Sequence, residues 1–187
     1  GTIAKAYAVP TKIADYQPGE LPTILDLYVL TYDADKKLRT ASSLIKRNLR
    51  TYLAEYRMIN DSVKIKDAFI INIEVVFDII VLPNYNNSEV LTKCIDSITN
   101  FFDIDDWQIN QPILFSDLYV LLDKVEGVQT VKKIAINNLT GEALGYSTYA
   151  YDIPGATIDD VVYPSIDPMI FEVKYPNADI KGRVVPI

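Results

Sequence analysis

The stretch FIINIEVVFDIIV, residues 69–81, decides the fold. Every odd position in it is apolar, while Asn72, Glu74 and Asp78 interrupt the even positions. Successive side chains of a strand point to opposite faces, so this period of two predicts a single strand with one covered face. A strand from residue 69 to residue 81 would span about 43 Å at ~3.3 Å per residue, which is unusually long. A slip of one residue would expose the whole apolar set, so we expect a strongly specified register.

Helical patterns flank this strand on both sides. Apolar residues recur at helical spacing from Ile45 to Tyr56, which predicts a helix over about residues 41–57. After the strand, Asn87 or Ser88 is placed to cap a second helix, and a third helix begins near Ser116. Further strands are predicted at residues 25–31 and 128–136. This order predicts an α+β fold, in which a mixed sheet with one unusually long strand carries three helices packed on one face.

The two ends of the chain lack these long patterns. Residues 1–24 are rich in turn formers and hold at most one short strand, near residues 4–9. Residues 138–187 contain five of the ten Pro and five of the 13 Tyr, with short strands expected at 147–152, 161–163 and 169–174. We therefore expect an N-terminal extended segment (1–24), an α+β core domain (25–137) and a Pro- and Tyr-rich extended β arm (138–187), packed on the core or on a partner.

Composition excludes several classes of chemistry. The 187 residues include no His, which removes the usual general base, the Ser–His and Cys–His nucleophile systems and most zinc sites. The single Cys excludes an intramolecular disulfide. The longest apolar run, residues 68–82, carries Asn72, Glu74 and Asp78 and is shorter than the ~20 residues of a membrane helix, so no membrane partner is expected. The chain begins with Gly1 rather than Met, so we expect either a fragment of a longer polypeptide or a trimmed form of the chain.

The candidate catalytic and metal-binding motifs are all incomplete. Ser43-Leu-Ile-Lys46 fits the S-x-x-K pattern of serine acyltransferases, but the other two elements of that signature are missing. Asp33-Ala-Asp35 begins like a calcium loop without its Gly at position 6 or its Glu at position 12, which predicts a simple turn. Asp103, Asp105 and Asp106 are expected at a solvated helix end, and Cys94 is expected in the core. We predict no catalytic residue, no cofactor, no metal and no small-molecule substrate.

Charge is distributed unevenly along the chain. Residues 36–66 carry nine basic and two acidic side chains, although the whole chain has a net charge of −7. The basic helix 41–57 leaves a nucleic-acid-binding module open as an alternative function. The acidic overall charge and the absence of a known reader motif make nucleic acid the weaker interpretation. A hydrolase that uses paired carboxylates is a further alternative.

The Tyr-rich C-terminal residues favour a protein-contact role. Tyr supplies contact area and a hydrogen-bonding tip, so a Tyr excess in a Pro-rich arm suits an interface, and packing of the arm onto its own domain is the competing interpretation. The predicted protein-interface residues are Tyr149, Tyr151, Tyr163 and Phe171 in the arm, with Arg47 and Arg50 on the basic helix.

Short motifs occur from residue 21 to residue 177. They are LPTI (21–24), LYVL (27–30), Leu49 with Tyr52 and Leu53, RMINDSVKIKDA (57–68), QINQPI (108–113), VEGVQTV (125–131), YAYDIPGAT (149–157), YPSIDP (163–168) and IFEVKYPN (170–177). Through these motifs, nearly the whole chain resembles the C-terminal part of the large baseplate wedge protein of T-even-type contractile-tailed bacteriophages. The order of helix, long strand and two helices is also similar to the broader baseplate J-like family.

This resemblance implies a virion structural protein. Members of the family dimerise, contact other baseplate wedge proteins and help to form a ring around the tail hub that rearranges on contraction. No catalytic residues belong to the family, so none is transferred to this chain. The resemblance also implies a location in the tail baseplate of the virion, and in the host cytoplasm during assembly.

Overall fold

The computed structural model describes residues 3–11, 25–56 and 63–186. The chain divides into two compact units, Gly1–Phe69 and Ile70–Ile187. Most of the predicted N-terminal segment and the last predicted residue of the first helix, Arg57, lie outside the described residues.

Unit 1 is a four-stranded sheet built around β2 (Leu25–Tyr32). The antiparallel strand β1 (Ile3–Pro10) pairs along one edge of β2. The other edge is shared by the antiparallel β3 (Leu38–Thr40) and the parallel β4 (Val63–Asp67). Helix α1 (Ser43–Ala54) connects β3 to β4, because a strand parallel to β2 needs a crossover connection.

The core of unit 1 lies between α1 and one face of this sheet. Val29, Ala41 and Ile65 are buried there, and the apolar face of α1 packs against them through Ile45, Leu49 and Leu53. The predicted turn after β2 is confirmed, since the Asp33 carboxylate accepts the N–H groups of residues 35 and 37 at 2.9 Å each.

Unit 2 is built around β5 (Phe69–Val81), whose bounds match the predicted long strand. The antiparallel β7 (Val128–Leu139) follows one edge of β5. The parallel β11 (Ile180–Val184) pairs along the other edge, and β10 (Met169–Glu172) also pairs with β5. All strands of this sheet therefore pair with β5.

Two helices lie on this sheet. Helix α2 (Asn87–Phe101) packs against β11, and the Asn86 side chain caps it by accepting the N–H groups of residues 88 and 89. Helix α3 (Phe115–Asp123) packs against β7. A four-residue helix, α4 (Pro176–Asp179), precedes β11. No helix in the described ranges is both long enough and apolar enough to cross a membrane.

A second, small sheet lies in unit 2. It contains β6 (Ile113–Leu114), β8 (Thr157–Ile158) and β9 (Val161–Val162), with β9 in the centre. The turn between β8 and β9 consists of Asp159 and Asp160, both with positive φ, as the tight two-residue turns of hairpins require.

The α+β class is confirmed, but the helices do not share one sheet. Helix α1 lies on the sheet of unit 1, while α2 and α3 lie on the sheet of unit 2. The predicted strand at residues 147–152 is absent, and the sequence patterns did not predict β3, β4, β6, β8, α4 or β11.

The division of the chain also differs from the boundaries expected at residues 25 and 138. Strand β1 pairs with β2, so the described part of the N-terminal segment belongs to the unit 1 sheet. Strands β10 and β11 both pair with β5, so part of the expected C-terminal arm belongs to the main sheet of unit 2.

The register of β5 predicts opposite results for two neighbouring substitutions. Ile73 is 0% exposed, so Ile73→Asp places an unpaired charge in the core and should remove cooperative folding, at a cost of about 4 kcal/mol or more. Val76 is half-buried on the face that carries Glu74 and Asp78, and its backbone partner on β11 is Lys181, so Val76→Asp should cost about 1 kcal/mol. Thermal unfolding followed by circular dichroism compares them, and a cooperatively melting Ile73→Asp protein would contradict this register.

Candidate protein-contact surface

The outer side of α1 carries the first candidate surface. Ser42 caps the helix by accepting the N–H of Ile45 at 3.4 Å, and the apolar face packs on the sheet of unit 1. Arg47 and Arg50 are exposed on the outer side. A shallow cavity of about 420 Å³ on this helix is lined by residues 43, 44, 46, 47 and 50.

An ion pair fixes the first turns of α1. The Lys46 ammonium donates to Asp67 at the end of β4, and the other oxygen of Asp67 accepts the N–H of Ala41 at 3.2 Å. Lys46 is therefore neutralised within unit 1. Arg47 and Arg50 have no anionic partner among the described residues, so they remain available to an external anion.

Two of the predicted interface residues lie in the interior of unit 2. Tyr151 is 8% exposed and packs edge-on against Phe171, which is 1% exposed. The Tyr151 hydroxyl donates to the carbonyl of Tyr163 and accepts the N–H of Ser165 at 2.9 Å. Tyr151 and Phe171 pack the C-terminal residues onto the unit itself, so the expectation that their side chains face a partner is corrected.

A buried amide holds these C-terminal residues in place. Asn72 on β5 is 0% exposed, donates to Glu172 at 2.7 Å and accepts the N–H of Ser147 at 2.7 Å. Asn138 donates to the carbonyl of Asn72 and accepts the N–H of Tyr151. The alternation of β5 placed Asn72 on the open face with Glu74 and Asp78. No local signal reveals its burial, because its partners lie 75 and 100 residues away.

Tyr149 and Tyr163 remain on the surface, at 40% and 48% exposure. Among the other exposed apolar side chains of unit 2, Leu144 and Ile158 have the largest exposed fractions. Leu144 lies in a short 3-10 helix (Glu142–Leu144), and Ile158 lies in β8 next to the Asp159–Asp160 turn. Their exposure follows from where the fold places these two short elements, which hydropathy patterns do not encode.

The fold is similar to that of a solved baseplate protein. A chain in the cryo-electron microscopy structure of the anti-feeding prophage baseplate, with six-fold symmetry applied, superposes with a TM-score of 0.51 at 14% identity. The match covers 91% of this chain and 34% of that chain, so this chain spans about a third of its neighbour's length. No protein-family model and no curated protein matches the sequence.

The open face of the unit 2 sheet is neutralised by ion pairs across its strands. Arg183 on β11 donates two hydrogen bonds to Asp78 on β5, at 3.1 and 2.8 Å, which hold the pKa of Asp78 below its ordinary value. Lys181, also on β11, forms an ion pair with Glu74 on β5. The Glu74 carboxylate also accepts a hydrogen bond from the side-chain amide of Asn137 at 3.0 Å. Because these carboxylates already have partners on neighbouring strands, the face is a poor candidate for paired-carboxylate chemistry.

Residues of the incomplete motifs are engaged in local contacts. The Lys46 amine bonds to Asp67 rather than to Ser43, and Asp103 accepts the N–H of Asp105 in an exposed turn. Within the described ranges, no group of three or more His, Cys, Asp or Glu side chains could hold a metal ion.

Cys94 lies on the buried face of α2, as predicted for a core thiol. It is 0% exposed, and burial raises the pKa of its thiol to about 11. The thiol is therefore protonated at neutral pH, which makes it a poor nucleophile.

The buried thiol predicts a pH-dependent contribution to stability. The pKa of Cys94 is higher in the folded chain than the value near 8.5 of an unfolded thiol, so its contribution is present below about pH 8.5 and is lost as pH rises towards 11. Replacing Cys94 with Val removes this titration. Urea unfolding measures the free energy of unfolding of both proteins at pH 7.5 and at pH 10. Between these two pH values, the free energy of unfolding of the wild type should fall by about 1–2 kcal/mol more than that of Cys94→Val. Equal losses in the two proteins would contradict the burial of this thiol.

Proposed function

We propose that this chain is a structural component of a contractile-tail baseplate, and within it part of a wedge subunit. The observation that carries the proposal is the fold shared with an anti-feeding prophage baseplate chain over 91% of this sequence. The resemblance of its motifs, from residue 21 to residue 177, to a baseplate wedge protein supports the same role. The chain works in the virion tail after assembly in the host cytoplasm, and it transforms no substrate.

In this role the chain contacts other wedge proteins and, within the full-length protein, a second copy of itself. These contacts form part of the ring around the tail hub and change when the tail contracts. Arg47 and Arg50 on α1 are the first candidate contact, because they combine exposure on a rigid helix with the absence of an anionic partner in the described ranges. Such a pair favours an acidic surface on a neighbour. Tyr149 and Tyr163 are candidates for a second contact.

The same arginines make nucleic acid the alternative partner. Phosphate groups suit exposed guanidinium groups, but the chain as a whole has a pI of about 4.6 and would repel a polyanion. Retardation of DNA or RNA by the isolated chain at 50 mM salt, lost as salt rises, would favour this alternative. We expect no retardation.

Incorporation into particles tests the proposed role. Purified tails should contain this chain, and cross-linking mass spectrometry should join its peptides to other baseplate proteins. Reversal of both charges on α1, in Arg47→Glu/Arg50→Glu, should reduce incorporation by about tenfold, because two favourable contacts become repulsive.

A matched control distinguishes the loss of the α1 surface from the effect of a change in net charge. The exposed residues Lys36 and Lys124 lie outside α1, and Lys36→Glu/Lys124→Glu changes the net charge by the same amount. We expect this variant to enter particles as wild type does. Recovery of the chain only outside the particle fraction would contradict the proposed function, and equal loss in both double variants would remove α1 from the contact.

A further inference from the structure

The outer edge of β7 is unpaired. Strand β7 pairs only with β5, and within the described residues no backbone group of residues 129–138 bonds to any other segment. In an antiparallel pair, alternate residues direct their N–H and C=O groups away from the partner strand. Residues 129–138 therefore present a row of free donors and acceptors, to which another strand can be added.

The two halves of this edge differ in how well they are protected against the addition of another strand. Opposite the first half, the register with β5 shifts twice, and Lys132 and Lys133 are exposed. Bulges and edge lysines are the features with which proteins block strand addition. From Ile134 to Asn138 the register is continuous and no side chain is charged. Only the second half of the edge is suited to accept a strand.

A groove lies beside this second half. Two adjoining cavities, of about 620 and 410 Å³, share Ile136, Asn137, Ile153 and Pro154 as lining residues. The larger cavity continues to Asn138, and the smaller one reaches Phe115 at the start of α3. The shared Ile136 and Ile153 are buried, so the apolar surface of the groove that a partner could reach comes from Phe115, Tyr119 and Pro154. The groove thus combines unpaired backbone with a partly exposed apolar wall, which are the two requirements of recognition by strand addition.

The charge of the groove selects its occupant. Asp152 and Asp160 line it, both are exposed, and neither has a cationic partner among the described residues. Residues 70–187 carry 17 acidic and seven basic side chains, so unit 2 as a whole is also negatively charged. An acidic segment would be repelled, and a basic one attracted.

We propose that the groove along residues 134–138 binds an extended, basic segment of another protein, which adds to β7 as a further strand. Alternate apolar side chains of this segment pack against Phe115 and Pro154, and its basic side chains lie near Asp152 and Asp160. This inference is argued from the edge of β7 and the groove alone, so it does not depend on the proposed function. It goes beyond that function because it states which kind of peptide segment binds to unit 2.

A synthetic peptide tests the groove in the full chain. The probe is a fluorescein-labelled octapeptide that alternates Ile and Lys, titrated by fluorescence anisotropy. Binding should slow amide hydrogen exchange at residues 134–138. A peptide of similar composition with Pro at two central positions should bind at least tenfold more weakly, because Pro cannot donate to a strand ladder.

Variants that remove negative charges distinguish the contribution of the groove to peptide binding from that of the overall negative charge of unit 2. Asp152→Asn/Asp160→Asn keeps side chains that tolerate these turns, and should weaken binding of the Ile-Lys peptide about tenfold at low salt. Asp123→Asn/Glu142→Gln removes the same charge from exposed positions outside the groove and should leave binding within about twofold.

Three results would overturn the proposal. They are equal binding of the Pro-containing peptide, equal weakening by both double variants, and peptide binding without slower exchange at residues 134–138. If slower exchange at these residues instead increases with the concentration of the chain alone, together with dimers in sedimentation, the occupant is a second copy and the proposal of a foreign segment is wrong. None of these results affects the incorporation of the chain into particles. Failure of the groove proposal and failure of the proposed function can therefore be distinguished.

Discussion

The burial of one whole face of β5 is the constraint on which unit 2 depends. From Ile71 to Ile79 every odd residue is at most 1% exposed, and β7, β10 and β11 all take their register from this one strand. Because a slip of one residue would turn the entire apolar face to solvent, alternative registers are strongly disfavoured. The positions of α2 and α3, which pack on β11 and β7, follow from the same register. Even Gly182 on β11 reflects it, since a Cβ there would lie 2.4 Å from the Phe77 ring and 2.5 Å from the Leu91 side chain.

Contacts within each unit explain why its candidate surface lies where it does. The C-terminal residues are held to β5 by buried polar contacts around Asn72, so Tyr151 and Phe171 serve the interior while Tyr149 and Tyr163 stay outside. In unit 1 the pairing of Lys46 with Asp67 fixes α1 and leaves the neighbouring arginines exposed. The arginines thus lie on a fixed helix, whereas Tyr149 and Tyr163 lie in irregular segments that contacts of Tyr151 with Asn138 and Tyr163 hold in place. Pre-organised surfaces lose little entropy on binding, which suits the proposed role in a large assembly.

Local patterns predicted the elements that carry strong periodicity, and little else. The bounds of β5 and the buried position of Cys94 follow from periods of two and 3.6 within a single element. Strands β4 and β11 escaped prediction because they are short, contain Lys or Gly, and exist through pairing with distant partners. The interior position of Tyr151 depends on Asn138, Tyr163 and Phe171, which only the folded chain brings together. The unpaired edge of β7 was equally invisible, because edge position is a property of sheet topology and not of the strand's own residues.

The central claim is that the function of this chain resides in surfaces held by a rigid frame, and that β5 is the centre of that frame in unit 2. Native-state amide hydrogen exchange of the full chain tests it most directly, because exchange through local opening and exchange through global unfolding differ in their dependence on denaturant. The account predicts that amides of residues 71–79 exchange only through global unfolding, while those on the outer edge of β7 exchange through small local openings. If the amides of residues 71–79 exchange through openings whose free energy is as low as at the β7 edge, β5 is not the centre of the fold of unit 2.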